Sequence, residues 1–327
     1  MQTAVLVTGG AGYIGAHACK ALARAGYRPI AYDNLSTGHR HAVRWGPLVE
    51  ADIADAARLV EAMRRHDAVA VMHFAAAIDV AESVADPALY FRNNVVGSLA
   101  LLDALRARRI GAIVFSSTAA VYGAPQRSPI AETDPQRPVN PYGESKLAVE
   151  RMLAWHGAAY GLACGVFRYF NAAGADPDGE IGEEHSPEHH LIPLALDAAL
   201  GRRAAIDVFG TDYPTPDGTA VRDYVHVADI AEAHVAGLRR LMAGGESFCL
   251  NLGVGRGHSV REVITAVERA TGRAVPQHMA PRRPGDPPAL VADARLARAM
   301  LGWTPRCSDI DTIVRTALAH RAQLADA

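Results

Sequence analysis

Val5-Leu-Val-Thr-Gly-Gly-Ala-Gly-Tyr-Ile-Gly15 is the stretch on which the fold turns. A short apolar β-type run, Val5 to Thr8, enters a glycine turn and leaves it as a helical pattern from Ala16 to Ala25, ended by Gly26. Strand, glycine turn and helix in that order open a dinucleotide-binding sheet. Gly9 permits the tight turn, Gly12 lets the backbone approach a pyrophosphate, and Gly15 allows close helix packing, with the helix N-terminus facing the phosphates. Tyr13 and Ile14 lie within the turn and join the expected cofactor contacts.

The next strand, Pro29 to Tyr32, ends in Asp33, at the spacing where a carboxylate binds the adenosine ribose hydroxyls. An acidic residue there favours NAD, because it repels the 2'-phosphate of NADP; Arg40 and Arg44 nearby are the counter-indication. Asn34 follows in the same contact set. Val49 to Ile53 reads as a third strand, with Asp52 and Ile53 at the adenine, although Asp52 fits equally as a cap for a helix starting at Ala54. Ala68 to Phe74 is a fourth strand, running into Ala75 and Ala76, whose small side chains would let a cofactor lie against Phe74 and the backbone. Val95 to Ala107 is apolar at helical spacing. Ile113 to Phe115 forms another strand and ends in Ser116-Ser117-Thr118, hydroxyls at the strand end where open α/β sheets bind ligands. The alternation predicts an α/β fold, a doubly wound parallel Rossmann sheet with a smaller, interleaved C-terminal substrate domain. The expected division is 1–172 plus 223–253 for the NAD-binding domain and 173–222 plus 254–327 for the other.

A second stretch, Asn140-Pro-Tyr-Gly-Glu-Ser-Lys146, carries the chemistry. Asn140 suits a helix cap and Pro141 its first turn, so Tyr142 and Lys146 fall at i and i+4 on one face. A lysine beside a phenol favours the phenolate; an opposite charge at about 4 to 6 Å moves a pKa by ~1 to 3 units, bringing a group of reference pKa ~10 toward use as a base. The chain has 33 Lys plus Arg, of which only Lys20 and Lys146 are lysine, so a lysine here points to a need for an ammonium rather than a guanidinium fork.

Composition bounds the partners. A net charge of -2 gives no long-range attraction for nucleic acid or an anionic membrane. Cys19, Cys164, Cys249 and Cys307 lack Cys-x-x-Cys spacing and read as reduced thiols of a cytoplasmic protein. No run reaches membrane-span length, and the apolar opening lacks the flanks of a secretion signal. The histidine-rich run Glu184, His185, Glu188, His189, His190 resembles a metal cluster, but Pro187 breaks a clean helical arrangement, and no metal is expected.

Taken together, the glycine turn, Asp33, the hydroxyl strand end and Tyr142/Lys146 resemble the extended short-chain dehydrogenase/reductase superfamily over nearly the whole chain. Five further stretches narrow the resemblance to its UDP-hexose 4-epimerases: Phe115–Gly123, Arg168–Gly174, Phe209–Thr219, Val221–His226 and Ala280–Asp286. The resemblance implies that Tyr142 is the acid/base, that Lys146 holds the nicotinamide ribose and lowers the tyrosine's pKa, and that Thr118 places a hydroxyl on the sugar O4. It implies a self-cancelling reaction: the C4 hydride of UDP-galactose or UDP-glucose passes to a tightly held NAD, the 4-keto sugar turns over, and the hydride returns to its other face. Tyr169 joins the implied cofactor set. Asn171, His190, Leu191, Phe209, Arg222, Arg283 and Asp286 are the implied contacts to the UDP-hexose, the arginines clamping the diphosphate through forked donors. Two positions depart from the pattern. Ile78 stands where some members carry a lysine for the diphosphate, and Leu290 stands at a gate where a bulky Tyr excludes N-acetyl sugars and a small residue admits them. A homodimer through the Val95–Ala107 and Tyr142–Tyr160 helices is also implied.

A 4,6-dehydratase on the same scaffold needs an Asp-Glu pair after the threonine, whereas Thr118 is followed by Ala119 and Ala120. A net dehydrogenase or reductase would need exchangeable cofactor. A non-catalytic NAD sensor would keep the glycine turn without needing Tyr142 and Lys146.

Overall fold

A computed structural model of the chain describes residues 2–283 and 286–326. Pro284 and Gly285 of the Ala280–Asp286 stretch, and Ala327, lie outside the described residues. The elements of the first half are β1 (Ala4–Thr8), α1 (Tyr13–Arg24), β2 (Arg28–Asp33), β3 (Leu48–Glu50), α2 (Ala56–Arg65), β4 (Ala68–His73), α3 (Val80–Ala85), α4 (Pro87–Tyr90), α5 (Gly97–Arg108), β5 (Ala112–Thr118), α6 (Pro141–Tyr160) and β6 (Ala163–Tyr169). Those of the second half are β7 (Asn171–Ala173), α7 (Leu191–Ala199), β8 (Ile206–Phe209), β9 (Val221–Arg222), β10 (Tyr224–His226), α8 (Val227–Met242), β11 (Phe248–Leu252), β12 (His258–Ser259), α9 (Val260–Thr271), β13 (Gln277–Ala280), β14 (Ala289–Leu290), α10 (Arg295–Leu301) and α11 (Ile310–Asp326).

Seven parallel strands form the central sheet in the order β11-β6-β5-β4-β1-β2-β3. Strand order reverses between β1 and β4, and the crevice at the carboxyl ends of those strands is where such sheets take ligands. Successive residues of β1 face opposite sides of the sheet. Val5 and Val7 pack with Leu22, Phe167, Leu238 and Trp303 on one side, and Ala4 and Leu6 with Ile30, Leu59, Leu101 and Leu153 on the other. Both faces are therefore covered by helices, as the continuous apolar runs of the strands require. A third core, with Ile192, Leu196, Ile206, Val263, Val267 and Ile313, joins α7, α9 and α11 to β8. Between those parts the chain returns to the main sheet, because β11 pairs along its length with β6.

Several boundaries differ from the sequence expectation. The third strand is Leu48–Glu50, so Asp52 and Ile53 follow it in a loop. Helix α2 begins at Ala56 and is capped by Asp55, which accepts from Arg58 N, so Asp52 is not its cap. The strand expected to stop at Phe115 continues to Thr118, since β6 pairs with it as far as Thr118↔Tyr169. The helical pattern around Val95 begins as a π-helical segment, Phe91–Val96, that leads into α5.

Candidate active site

The glycine turn shows a distinct steric reason at each position. Gly9 adopts φ +72°, and a Cβ there would lie 2.6 Å from Ala75 N at the end of β4. A Cβ on Gly15 would lie 2.0 Å from Gly9 O, so α1 could not pack against the turn. Gly12, by contrast, faces only Gly9 O, at 3.3 Å, leaving its outer side open for a ligand. Gly12 caps α1 without a side-chain hydrogen bond, and no acidic residue lies in the first turn. The N–H groups of this helix start thus meet no competing carboxylate of their own turn, which suits a pyrophosphate. The Tyr13 hydroxyl donates to Gly174 O at 2.6 Å, tying the turn to the second half of the chain.

Asp33, at the end of β2, accepts from Ala11 N at 2.9 Å and from Leu35 N at 2.9 Å. These bonds fix the carboxylate beside the turn and leave lone pairs for ribose hydroxyls. Asn34 donates to Asp52 at 2.9 Å, and Asp52 also accepts from Ala54 N at 2.8 Å. Ile53 is buried against Gly97. Phe74 and Ala75 follow directly after β4, with the N–H of each bonded to Thr8 O. Asp33, the glycine turn and the Phe74–Ala75 segment are thus joined to one another at the carboxyl ends of β1, β2 and β4.

Helix α6 starts as its sequence dictates: Asn140 Oδ1 accepts from Gly143 N at 2.8 Å, with Pro141 in the first turn. Tyr142 is half-buried and Lys146 buried. Both lie beside the carboxyl end of β5, where Lys146 donates to Ser116 O at 2.9 Å. Its ammonium also sits 5.0 Å from the Phe115 ring centroid. Burial pushes Lys146 down to about 7, and the Glu150 carboxylate opposes that shift. Burial raises the Tyr142 phenol, while the neighbouring Thr118 hydroxyl lowers it. The direction for Tyr142 is opposite to the sequence expectation, for a physical reason. Lys146 gives its hydrogen bond to a carbonyl, so desolvation of the phenol outweighs any help from the ammonium. Thr118 is 8 % exposed, and its hydroxyl accepts from Ala120 N at 3.1 Å. Tyr169 hydrogen-bonds Ser116 across β5 and β6.

The expected substrate contacts fall into three groups. Asn171, in β7, keeps its backbone N–H on Asp223 O at 3.0 Å. Arg222 and Asp286 form an ion pair with each other, and the Arg283 guanidinium stacks 3.9 Å from the Phe209 ring centroid. His190 precedes α7, which starts at Leu191, and its Nδ1 lies 2.6 Å from Glu183. Burial would raise Glu183, but the facing His190 and His185 hold it down at about 2. Glu183 and Glu188 in turn hold His190 up at about 10, although close packing around a side chain that is 46 % exposed works against them. Pro187 does keep this run non-helical, yet the loop gathers donor atoms of Glu183, His185, Glu188 and His190 within 4.8 Å of one another, close enough for a cation. Ile78 is exposed, and Leu290 pairs with Arg222 through β14 and β9.

Sequence reasoning missed the layer behind these groups. Glu150 on α6 accepts from Arg168 of β6 and from Ser117 of β5. Asn94 in the π-helical segment donates to Ser145 Oγ of α6 at 2.9 Å and to Ala77 O at 3.0 Å. The spacing Tyr142, Lys146, Glu150, each four residues from the last, was the available signal for Glu150.

Comparison with known proteins agrees with this geometry. The model of the NAD dependent epimerase/dehydratase family matches residues 5–253. The chain is 54 % identical to the UDP-glucose 4-epimerase of Rhizobium leguminosarum bv. trifolii over 313 residues, covering 96 % of this chain and 95 % of the relative. The crystal structure of UDP-glucose 4-epimerase from Brucella ovis in complex with NAD superposes with a TM-score of 0.96 at 56 % identity, over 97 % of this chain and 98 % of that one. A UDP-glucose-4-epimerase from Stenotrophomonas maltophila, with bound NAD and formylated UDP-arabinopyranose, gives 0.96 at 42 % identity over 100 % of both chains. By both its sequence and its structure, the chain belongs to the NAD dependent epimerase/dehydratase family, among its UDP-glucose 4-epimerases.

Proposed function

We propose that this chain interconverts UDP-galactose and UDP-glucose with a retained NAD. The observation that carries the reading is the meeting of Tyr142, Lys146 and Thr118 at the carboxyl end of β5, in the same sheet edge as the glycine turn of β1 and α1. When bound, NAD supplies a hydride acceptor at the sugar C4, whose reduced form is the donor for the return step. The residues that would hold it are Gly9, Gly12, Tyr13, Ile14, Gly15, Asp33, Asn34, Asp52, Ile53, Phe74, Ala75, Ala76, Tyr142, Lys146 and Tyr169. The open side of Gly12 and the uncapped start of α1 are the features that suit its pyrophosphate.

Tyr142 would take the 4'-hydroxyl proton as the C4 hydride leaves, and would give it back to the 4-keto oxygen as a hydride returns to the opposite face of C4. Thr118 orients that hydroxyl from the neighbouring strand end. Lys146, in its charged form, favours the phenolate when the proton must leave. Arg222 and Arg283 neutralise the diphosphate, and Asn171, His190, Leu191, Phe209 and Asp286 complete the nucleotide grip. Opening the Arg222–Asp286 pair toward a diphosphate and a ribose exchanges one charge-assisted contact for two. A firm hold on the nucleotide with few contacts to the hexose lets a 4-keto sugar turn without escaping. The NAD-binding part comprises 1–172 plus 223–253, and the UDP-sugar part 173–222 plus 254–327.

Two helices leave apolar side chains uncovered: Val96 and Leu99 on and beside α5, and Trp155 and Tyr160 on α6. They support a homodimer in which these helices pack against a second copy. None of the described helices is long and apolar enough to cross a membrane. With free Cys19, Cys164, Cys249 and Cys307, a reducing cytoplasm is the compartment this reading favours.

The test is proton NMR of the anomeric signals of UDP-galactose incubated with purified protein and no added NAD. Appearance of UDP-glucose without accumulation of NADH is the expected result. Silence both with and without added NAD would move the assignment to another UDP-sugar.

A further inference from the structure

The catalytic helix carries a third group on the face of Tyr142 and Lys146. Glu150 lies one helical turn beyond Lys146, is 8 % exposed, and forms a buried ion pair with Arg168. Its carboxylate accepts from Ser117 Oγ at 2.5 Å and from Arg168 Nε at 3.0 and 3.2 Å, and the Arg168 Nη2 completes a forked contact. Arg168 Nη1 reaches the Tyr122 hydroxyl at 2.9 Å, which donates to Asn251 Oδ1 at 2.7 Å, and Asn251 Nδ2 donates to Ile130 O at 2.9 Å. Ile130 then bonds through its backbone to Val291 and Asp293, next to the strand that carries Leu290. One buried polar chain therefore runs from α6 through β5, β6 and β11 to β14.

An arrangement of this kind is costly unless every member is satisfied, and a buried pair contributes little net stability over apolar side chains of the same volume. Stability alone is a weak reason for it. Its location gives a better one, since Ser117 lies between Ser116, whose carbonyl holds Lys146, and Thr118. We propose that Glu150, clamped by Arg168 and Ser117, is a positioning residue for the reaction: it is the fixed counter-charge behind Lys146 and sets α6 in register with the hydroxyl end of β5. This rests on the reading of Tyr142 and Lys146 given above.

The surroundings leave Glu150 in that role. Around Lys146 stand Tyr142 and Glu150 of α6 and His73 of β4, and His73 is neutral, pushed down to about 3 by burial with a further contribution from Lys146. Glu150 is the charge that opposes the desolvation of Lys146. On its far side are Arg168, Tyr122 and the Cys249 thiol, which burial keeps neutral by raising it to about 12.

The two-lysine composition gives a direct test. Protein labelled with [ε-13C]lysine yields two side-chain resonances, assigned with Lys20→Arg, and the Lys146 signal is titrated in wild type and in Glu150→Gln. Glutamine keeps an acceptor for Ser117 and removes the charge. The expected result is a Lys146 midpoint lower by about one pH unit in the variant, with kcat at pH 8 down about tenfold and KM within about twofold. Equal midpoints in the two proteins would overturn the proposal, as would an equal loss in kcat and gain in KM with no change in midpoint. Should Glu150→Gln lose its fold, Ser117→Ala leaves the ion pair intact and must still lower kcat several-fold at unchanged KM; an unchanged kcat there is also a refutation. Because the lysine titration needs no turnover, it distinguishes an error in this proposal from an error in the epimerase reading.

Discussion

In the proposed reaction the chemistry depends on Tyr142. Removing its hydroxyl in Tyr142→Phe takes away the acid/base group while leaving a ring that fits the same half-buried site. Initial rates of UDP-galactose conversion should fall by about 10²- to 10⁴-fold, with the thermal midpoint and the NAD content of the purified protein near wild type. A variant with wild-type turnover would exclude Tyr142 as the base. The pairing of Tyr142 with Lys146 was legible in the sequence because helical spacing alone places them together. Their electrostatics were not legible, because desolvation of the phenol and the Lys146 contact with Ser116 O depend on packing between α6 and β5. The Arg222–Asp286 pair shows the same limit. Each residue was singled out separately, and that they would partner each other across 64 positions was not visible in a linear pattern.

At the scale of elements, the glycine turn yields a prediction in which two similar substitutions part company. Gly15→Ala would place a Cβ 2.0 Å from Gly9 O, against backbone that cannot swing aside, so α1 must shift and both stability and NAD retention should suffer. A cost of about 1 to 3 kcal/mol is the usual scale for such overpacking. Gly12→Ala meets only Gly9 O at 3.3 Å, so the protein should unfold at nearly its normal urea midpoint yet lose its NAD, because in the proposed site the added methyl lies where the pyrophosphate approaches. Urea unfolding, together with chromatography of the NAD released from each purified variant, checks both halves. Equal effects of the two substitutions would remove the distinction between packing and ligand glycines. The order of strands and helices in the first half was readable from apolar runs and turn residues. Strand ends were less so, since β5 extends through polar Ser116, Ser117 and Thr118 only because β6 offers it partners that far.

For the whole molecule, buried titratable groups set the response to acid. His17 and His234 are each pushed down to about 4, and His73 to about 3, in every case first by burial. Unfolded histidines take up a proton near pH 6.5, whereas these stay neutral when folded until the pH is far lower. The unfolded state therefore binds more protons in that interval, and stability should drop as pH falls below about 6.5, by about 3 kcal/mol each for His17 and His234 when complete and about 5 kcal/mol for His73. Asp223 works in the opposite sense: burial raises it to about 6, so it loses stability as pH rises from about 4 to 6 and offsets roughly one histidine. Glu183 and Glu184, held at about 2, add to the acid loss below about pH 4.5. Urea midpoints measured from pH 8 down to 4 should fall below pH 6.5, and a flat profile would contradict the neutral, buried state of the three histidines.

Some large apolar side chains of α5, α6 and the segment before α5 are left uncovered by the chain itself. Trp155 is 75 % exposed on α6, and Val96 and Leu99 stand out beside it in the fold on the α5 side. Exposed large apolar groups on two helices that contact each other within the chain suit packing against the same helices of a second copy. Because the face of α6 bearing Tyr142 and Lys146 is turned to β5, a dimer formed this way would support the catalytic helix without entering the site. In the proposed homodimer Trp155→Arg should shift sedimentation velocity from dimer to monomer while the NAD-binding sheet stays folded. A protein that sediments as a monomer before any substitution would show that this face serves some other contact, and would leave the assignment of Tyr142, Lys146 and Thr118 intact.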